Sequence, residues 1–144
     1  EQVFAAMRAS TVKLDWYNGG SNVVSRGGYF YIYDILSSQV IRVKRSGGTN
    51  HMDIEPANSS ETAKLKSAYG GSWSWDSHPV ILISGTTCVA AAINGMPHDG
   101  NDTLNNGMDG VICLHLSNSR THGSDAVNEN HQEAIDWAYQ WAHS

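Results

Sequence analysis

Apolar and polar positions alternate with period two through much of the first half of the chain, the signature of strands with one buried face. Gly28-Tyr29-Phe30-Tyr31-Ile32-Tyr33-Asp34-Ile35 and Gln39-Val40-Ile41-Arg42-Val43-Lys44-Arg45 are rich in β-branched and aromatic residues. Leu36-Ser37-Ser38 separates them, which predicts a hairpin. Thr11 to Trp16 alternates too and predicts a strand ending at the turn Asn18-Gly19-Gly20-Ser21-Asn22, while positions 1 to 9 are too short to assign. His51, Asp53 and Glu55 alternate with Met52 and Ile54, so the three ionisable side chains share one face.

The second half is less charged. Pro79 to Ser84 and Cys88 to Ile93 flank Gly85-Thr86 and predict a second hairpin whose low charge implies burial on both faces. Val111 to Leu116 reads as a strand between two polar loops, 94 to 110 and 117 to 125. Two helices are expected. One opens at Asn58-Ser59-Ser60-Glu61, with Asn58 or Ser59 as N-cap and Glu61 reaching back, and stops at Gly70-Gly71. The other runs from about Asn128 to Ala142 with an apolar stripe of Ile135, Ala138 and Trp141. The sum is an α+β fold, a single mainly antiparallel β-sheet domain with two helices over residues 1–144.

Composition narrows the function classes. Lys and Arg total 9 against 14 Asp and Glu, with no basic cluster beyond Arg42-Val43-Lys44-Arg45, so the electrostatic footprint of a nucleic-acid binder is missing. No apolar run approaches the length of a membrane span, so no membrane insertion is expected, and Glu1-Gln2-Val3-Phe4 lacks the pattern of a signal peptide. A chain starting with Glu rather than Met is expected to be processed or trimmed. Charged residues make up only 16%, beside plentiful Gly, Ser, Asn and Thr, which points to an extracellular or cell-wall protein. Two cysteines permit one disulfide at most, and Cys88 is expected to be free and inert if Cys113 works as a nucleophile.

Cys113 lies in the strand Val111-Ile112-Cys113-Leu114-His115-Leu116, fifteen residues after His98 in Gly95-Met96-Pro97-His98-Asp99-Gly100. A thiol attacks as a thiolate, and a nearby histidine is the usual acceptor of its proton. His115, two residues on and on the same strand face, is an alternative base or a substrate-orienting group. The competing reading of Cys113 is a small buried hydrophobe. His51 and Asp53 are candidates to bind a substrate amine or to ligate a metal, and Arg120 is a candidate anchor for a substrate carboxylate. Imidazole, carboxylate and thiolate are all zinc ligands, yet the spacing matches neither H-E-x-x-H nor paired C-x-x-C, so no metal site is expected. His122 and His131 read as a loop contact and a helix-terminal residue, and the tryptophans as packing, although Gly71 to Asp76, with Trp73 and Trp75, could wall a cleft.

The stretch from His98 to Arg120 resembles the L,D-transpeptidases of bacterial cell walls, in which a histidine precedes a Ser-His-Gly-Cys-x-Arg/Asn motif by about the same interval. Segments from Leu14-Asp15-Trp16 to Asn118-Ser119-Arg120-Thr121-His122-Gly123 resemble a divergent branch among Firmicute cell-envelope proteins. The chain departs from the family motif: Gly110 stands three residues before Cys113, no Ser-His precedes the cysteine, and His115 occupies the Arg/Asn position. The resemblance implies an L,D-transpeptidase-like catalytic domain with Cys113 as nucleophile, His98 as base and the amides of Ile112 and Cys113 as oxyanion hole. It implies peptidoglycan stem peptides as partners, no cofactor, and a monomer. Two rivals are a metal-dependent peptidoglycan hydrolase using His51, Asp53 and another histidine, and a non-catalytic wall-binding module.

Overall fold

The computed structural model describes residues 2–100, 102–121 and 126–144. In chain order the elements are α1 (Gln2–Ser10), β1 (Tyr29–Asp34), β2 (Gln39–Gly47), β3 (Met52–Pro56), α2 (Ser59–Ala68), β4 (Ser74–Ser84), β5 (Thr87–Gly95), β6 (Ile112–His115) and α3 (Glu129–Ala142). The strands form one antiparallel sheet in the order β1-β2-β3-β6-β5-β4, closed into a barrel by pairing of β1 with β4.

Period two decides which side chains fill the barrel. Ile32, Ile41, Val43, Met52, Ile54, Leu82, Ile93, Ile112 and Leu114 point inward and are fully buried. Trp16 joins them, donating its indole N–H to the Thr49 carbonyl at 2.8 Å. On the outside of the second hairpin, Ile81, Cys88, Ala90 and Ala92 pack beneath Ala134, Ile135, Ala138 and Ala142 of α3. The low charge of that hairpin thus reflects two cores, one on each face. Cys88 and Cys113 are not joined in a disulfide.

The helices start where their caps predict. Asn58 accepts a hydrogen bond from the Glu61 N–H, and Asn128 accepts one from the His131 N–H. Two findings differ from the sequence expectation. α1 is a third helix, held from outside by Phe4 against the rings of Tyr33 and Trp141 and by Arg8 on the Trp141 carbonyl. Nine residues are too few for a stable isolated helix, so tertiary contacts rather than local propensity account for it. Thr11–Trp16 is no strand: it makes isolated bridges, Val12 with Val89 and Asp15 with Ser117, as it crosses a barrel already closed by six strands. Residues 122–125 lie outside the described residues, and with them His122, Gly123 and the end of the predicted loop.

Candidate functional site

Register builds the site on the outer face of β6. β3 pairs Asp53 with Cys113, and β5 pairs Ile93 with Leu114, so Asn94, one step further, comes opposite Cys113. There the regular ladder stops, and the Cys113 N–H donates to Asn94 Oδ1 at 3.3 Å instead of to a main-chain carbonyl. Asp53, Cys113 and Asn94 therefore form one row across three strands. His51 and His115 form the next row, their rings stacked at 4.7 Å and 10°. His131, carried by α3, stacks against His115 at 4.2 Å.

His98 arrives from the loop. Its main chain exchanges two hydrogen bonds of 2.9 Å with Val111, which fixes the histidine opposite a residue two positions before Cys113. Gly110 makes that approach feasible. It has φ +112°, and a Cβ there would lie 2.5 Å from the His98 carbonyl oxygen. The His98 Nδ1–H donates to the Met96 carbonyl at 2.6 Å, so the unprotonated Nε2 faces Cys113 Sγ at 3.2 Å. The loop that follows is anchored from below by Glu55, which is fully buried and accepts from the Thr103 N–H at 2.8 Å, the Leu104 N–H at 2.9 Å and the Thr103 hydroxyl at 2.8 Å. Ser46 also donates to Glu55, and Asp102 accepts from the Gly110 N–H at 3.1 Å.

These groups open onto a cavity of about 440 Å³ walled by Trp75, Asn94, His98, Cys113, His115 and His131, among others. Trp75 is 59% exposed and sets its ring 5.0 Å from that of His98 at the mouth. Burial pushes the Cys113 thiol well above the ordinary range, the carboxylates of Asp53 and Asp99 push it further, and a hydrogen bond from the Asn94 side chain offsets part of this. The thiol is thus held neutral at rest beside the His98 ring. Burial, helped by His51, lowers His131 to about 4, so its ring is neutral at physiological pH. Its Nδ1 stands 3.0 Å from the Ser77 hydroxyl.

The predicted residues are brought together to different degrees. Cys113 and His98 meet directly, whereas His115 is two residues along and lies between His51 and His131. His51 places Nδ1 2.7 Å from the Arg120 carbonyl and Nε2 3.1 Å from Asp53 Oδ1. Arg120 contributes this carbonyl and a main-chain bond to Asn50, and its exposed residue is not part of the described cavity wall. Of the two expected oxyanion amides, that of Cys113 is held by Asn94, and Ile112 sits in the β3–β6 ladder with its side chain in the core. His51, Cys113 and His115, with no recognised motif spacing, nevertheless present donor atoms within 4.8 Å of one another.

Sequence reasoning passed over Asn94 and set His131 aside. Asn94 had a readable signal, since it is the polar residue ending an apolar strand just before the His98 loop. His131 had none, because α3 reaches β6 only through the tertiary packing of the helix on the barrel. No protein-family model, curated protein or solved structure matches this chain.

Proposed function

We propose that the protein is a cysteine acyltransferase acting on peptidoglycan stem peptides outside the cell, of the L,D-transpeptidase type. The observation carrying this reading is the 3.2 Å approach of His98 Nε2 to Cys113 Sγ, with the tautomer set by the Met96 carbonyl, at the floor of a cavity open to solvent. The choice of substrate rests on the resemblance of the His98 to Arg120 stretch to that family.

In this mechanism His98 Nε2 takes the Sγ proton as sulfur attacks the carbonyl that follows the L-centre of the stem. The tetrahedral intermediate collapses by breaking the C–N bond to D-Ala, and His98 returns the proton to the departing amine. A thioester on Cys113 remains. The amine of a second stem then attacks, giving its proton to His98; the C–S bond breaks and the thiol is restored. Water in place of the amine makes the reaction a carboxypeptidation.

Asn94 supports the acyl transfer. An N–H can only donate, so the Cys113 amide must face Asn94 Oδ1, and this turns Nδ2 toward the sulfur, in keeping with the hydrogen bond that lowers the thiol pKa. A side-chain N–H so placed is a donor for the oxyanion that forms on the carbon bonded to Sγ. The neutral resting thiol suits a site in which attack and proton transfer occur together.

The test is intact mass after incubation with a tetrapeptide stem ending in D-Ala, and separately with a carbapenem as acyl donor. A single adduct that disappears in Cys113→Ser, with D-Ala released from the stem, supports the reading. An unmodified wild-type protein, or D-Ala release that persists in Cys113→Ser, overturns it, and the latter outcome favours a hydrolase that uses other groups.

A further inference from the structure

The residues beside the dyad form a second constellation. Cys113, His51 and His115 are all buried, and one donor atom from each lies within 4.8 Å of the others. We propose that this trio captures a thiophilic divalent cation, with Zn²⁺ as the representative ion, and that capture silences the Cys113 nucleophile. The silencing rests on the acyltransferase reading; the binding site itself does not.

The donor set is the first argument. One thiolate and two imidazoles are a borderline-soft set suited to zinc, with a fourth position left for water or another ligand. The second argument is orientation. His51 places Nδ1 against the Arg120 carbonyl at 2.7 Å, which leaves Nε2 as its ligand atom, and the Asp53 carboxylate that Nε2 meets at 3.1 Å must give way to the metal and become an outer partner. The rings of His51 and His115 lie nearly parallel at 4.7 Å, and because an imidazole binds a metal in its own ring plane, His115 must tilt out of this stack for the two rings to meet one ion.

Charge is the third argument. Asp53 pairs with Cys113 across the ladder and lies 3.1 Å from His51 Nε2, so a thiolate and a carboxylate together offset a dication. Zinc's nitrogen and sulfur ligands sit about 3.3–3.8 Å apart when bonded at about 2.0–2.3 Å. The trio must therefore close by about 1 Å from its 4.8 Å spread, a side-chain adjustment at the wall of a cavity that all three residues line. On binding, the thiol gives its proton to solvent and its sulfur lone pair to the metal. The same lone pair cannot then attack a carbonyl.

The experiment uses the whole chain, stripped with chelator and desalted. Co²⁺ is added as a spectroscopic stand-in, and Zn²⁺ is titrated while alkylation of Cys113 by iodoacetamide at mildly alkaline pH is followed by intact mass, with Cys88 as internal reference. The expected results are a thiolate-to-cobalt charge-transfer band at one equivalent, absent in Cys113→Ser, and at least tenfold slower alkylation of Cys113 with Zn²⁺, reversed by EDTA. His115→Ala and His115→Gln, each compared with its own metal-free rate, should weaken the protection by about 10–100-fold. No charge-transfer band in the wild type, or protection undiminished in a folded His115 variant, overturns the site.

The two readings fail separately. A cobalt band in a protein that takes no acyl group from stem or carbapenem keeps the metal site and removes the acyltransferase. Acylation without metal protection does the reverse.

Discussion

Gly110→Ala tests how the fold brings His98 to Cys113 and, with it, the proposed proton transfer. The added Cβ would lie 2.5 Å from the His98 carbonyl oxygen and 2.9 Å from its nitrogen, where ordinary contact begins at 3.4 Å. Both neighbours are main chain, so the His98 segment must retreat by about 0.9 Å. If Nε2 follows, its 3.2 Å separation from Sγ grows to about 4 Å, beyond effective proton transfer. Loss of that transfer costs about 10²–10⁴-fold in acylation rate. A non-glycine residue at φ +112° adds about 1–3 kcal/mol of strain, and with the clash we expect about 2–5 kcal/mol of destabilisation. For a chain of 144 residues this lowers Tm by roughly 5–15 °C.

Gly71→Ala is the matched control, because Gly71 has φ +91° with nothing within 4 Å of the added Cβ. It should show the strain and keep the rate. Thermal unfolding and carbapenem acylation, followed side by side by circular dichroism and intact mass, separate the two effects. If Gly110→Ala acylates within twofold of wild type, or Gly71→Ala loses rate equally, the account of how His98 is positioned is wrong.

Three further outcomes follow from the same geometry. Asn94→Ala should fold and lose about 10²–10³-fold in acylation, as expected for removal of one oxyanion donor, and a rate within threefold of wild type would rule out that role. Glu55→Gln keeps the side-chain volume but turns amide hydrogens toward the Thr103 and Leu104 donors; urea unfolding should give about 3–5 kcal/mol of lost stability, and a midpoint equal to wild type would refute the anchor. Trp75→Ala removes an exposed ring, so stability should change by no more than about 0.5 kcal/mol while binding of the acyl donor weakens by about 1 kcal/mol, near fivefold; unchanged donor KM would show that the ring is no part of the binding wall.

The strands were legible wherever side chains alternate between a core and something else. β1 and β2 show this directly, Asn58 announced α2 because capping is a local interaction, and the stripe of Ile135, Ala138 and Trp141 announced α3. The His98–Cys113 pair was legible for a related reason: both residues flank one loop, and a strand bordered by polar loops limits where they can go. The closure of the barrel was not legible, since pairing of β1 with β4 joins segments some fifty residues apart that carry no mark of partnership. Nor was the second row of the site. His51, His115 and His131 come from three elements, and only the β3–β6 register and the docking of α3 stack them. α1 stayed hidden because its support, Tyr33 and Trp141, lies far along the chain.

Closure of the sheet constrains how a peptide can be held. Many peptide-binding domains lengthen their own sheet, letting the ligand bond to a free edge as one more strand. With Tyr31–Asp34 of β1 paired to Val80–Ile83 of β4, that edge of the sheet is closed among the described residues. Under the proposed function, a stem peptide entering the cavity would be recognised chiefly by side chains and by loop carbonyls and amides, contacts that read the identity and handedness of individual residues rather than the uniform repeat of a backbone. Selectivity should accordingly reside in a few wall positions, so that exchanging one of them changes which peptide is accepted without disturbing the six strands that carry it.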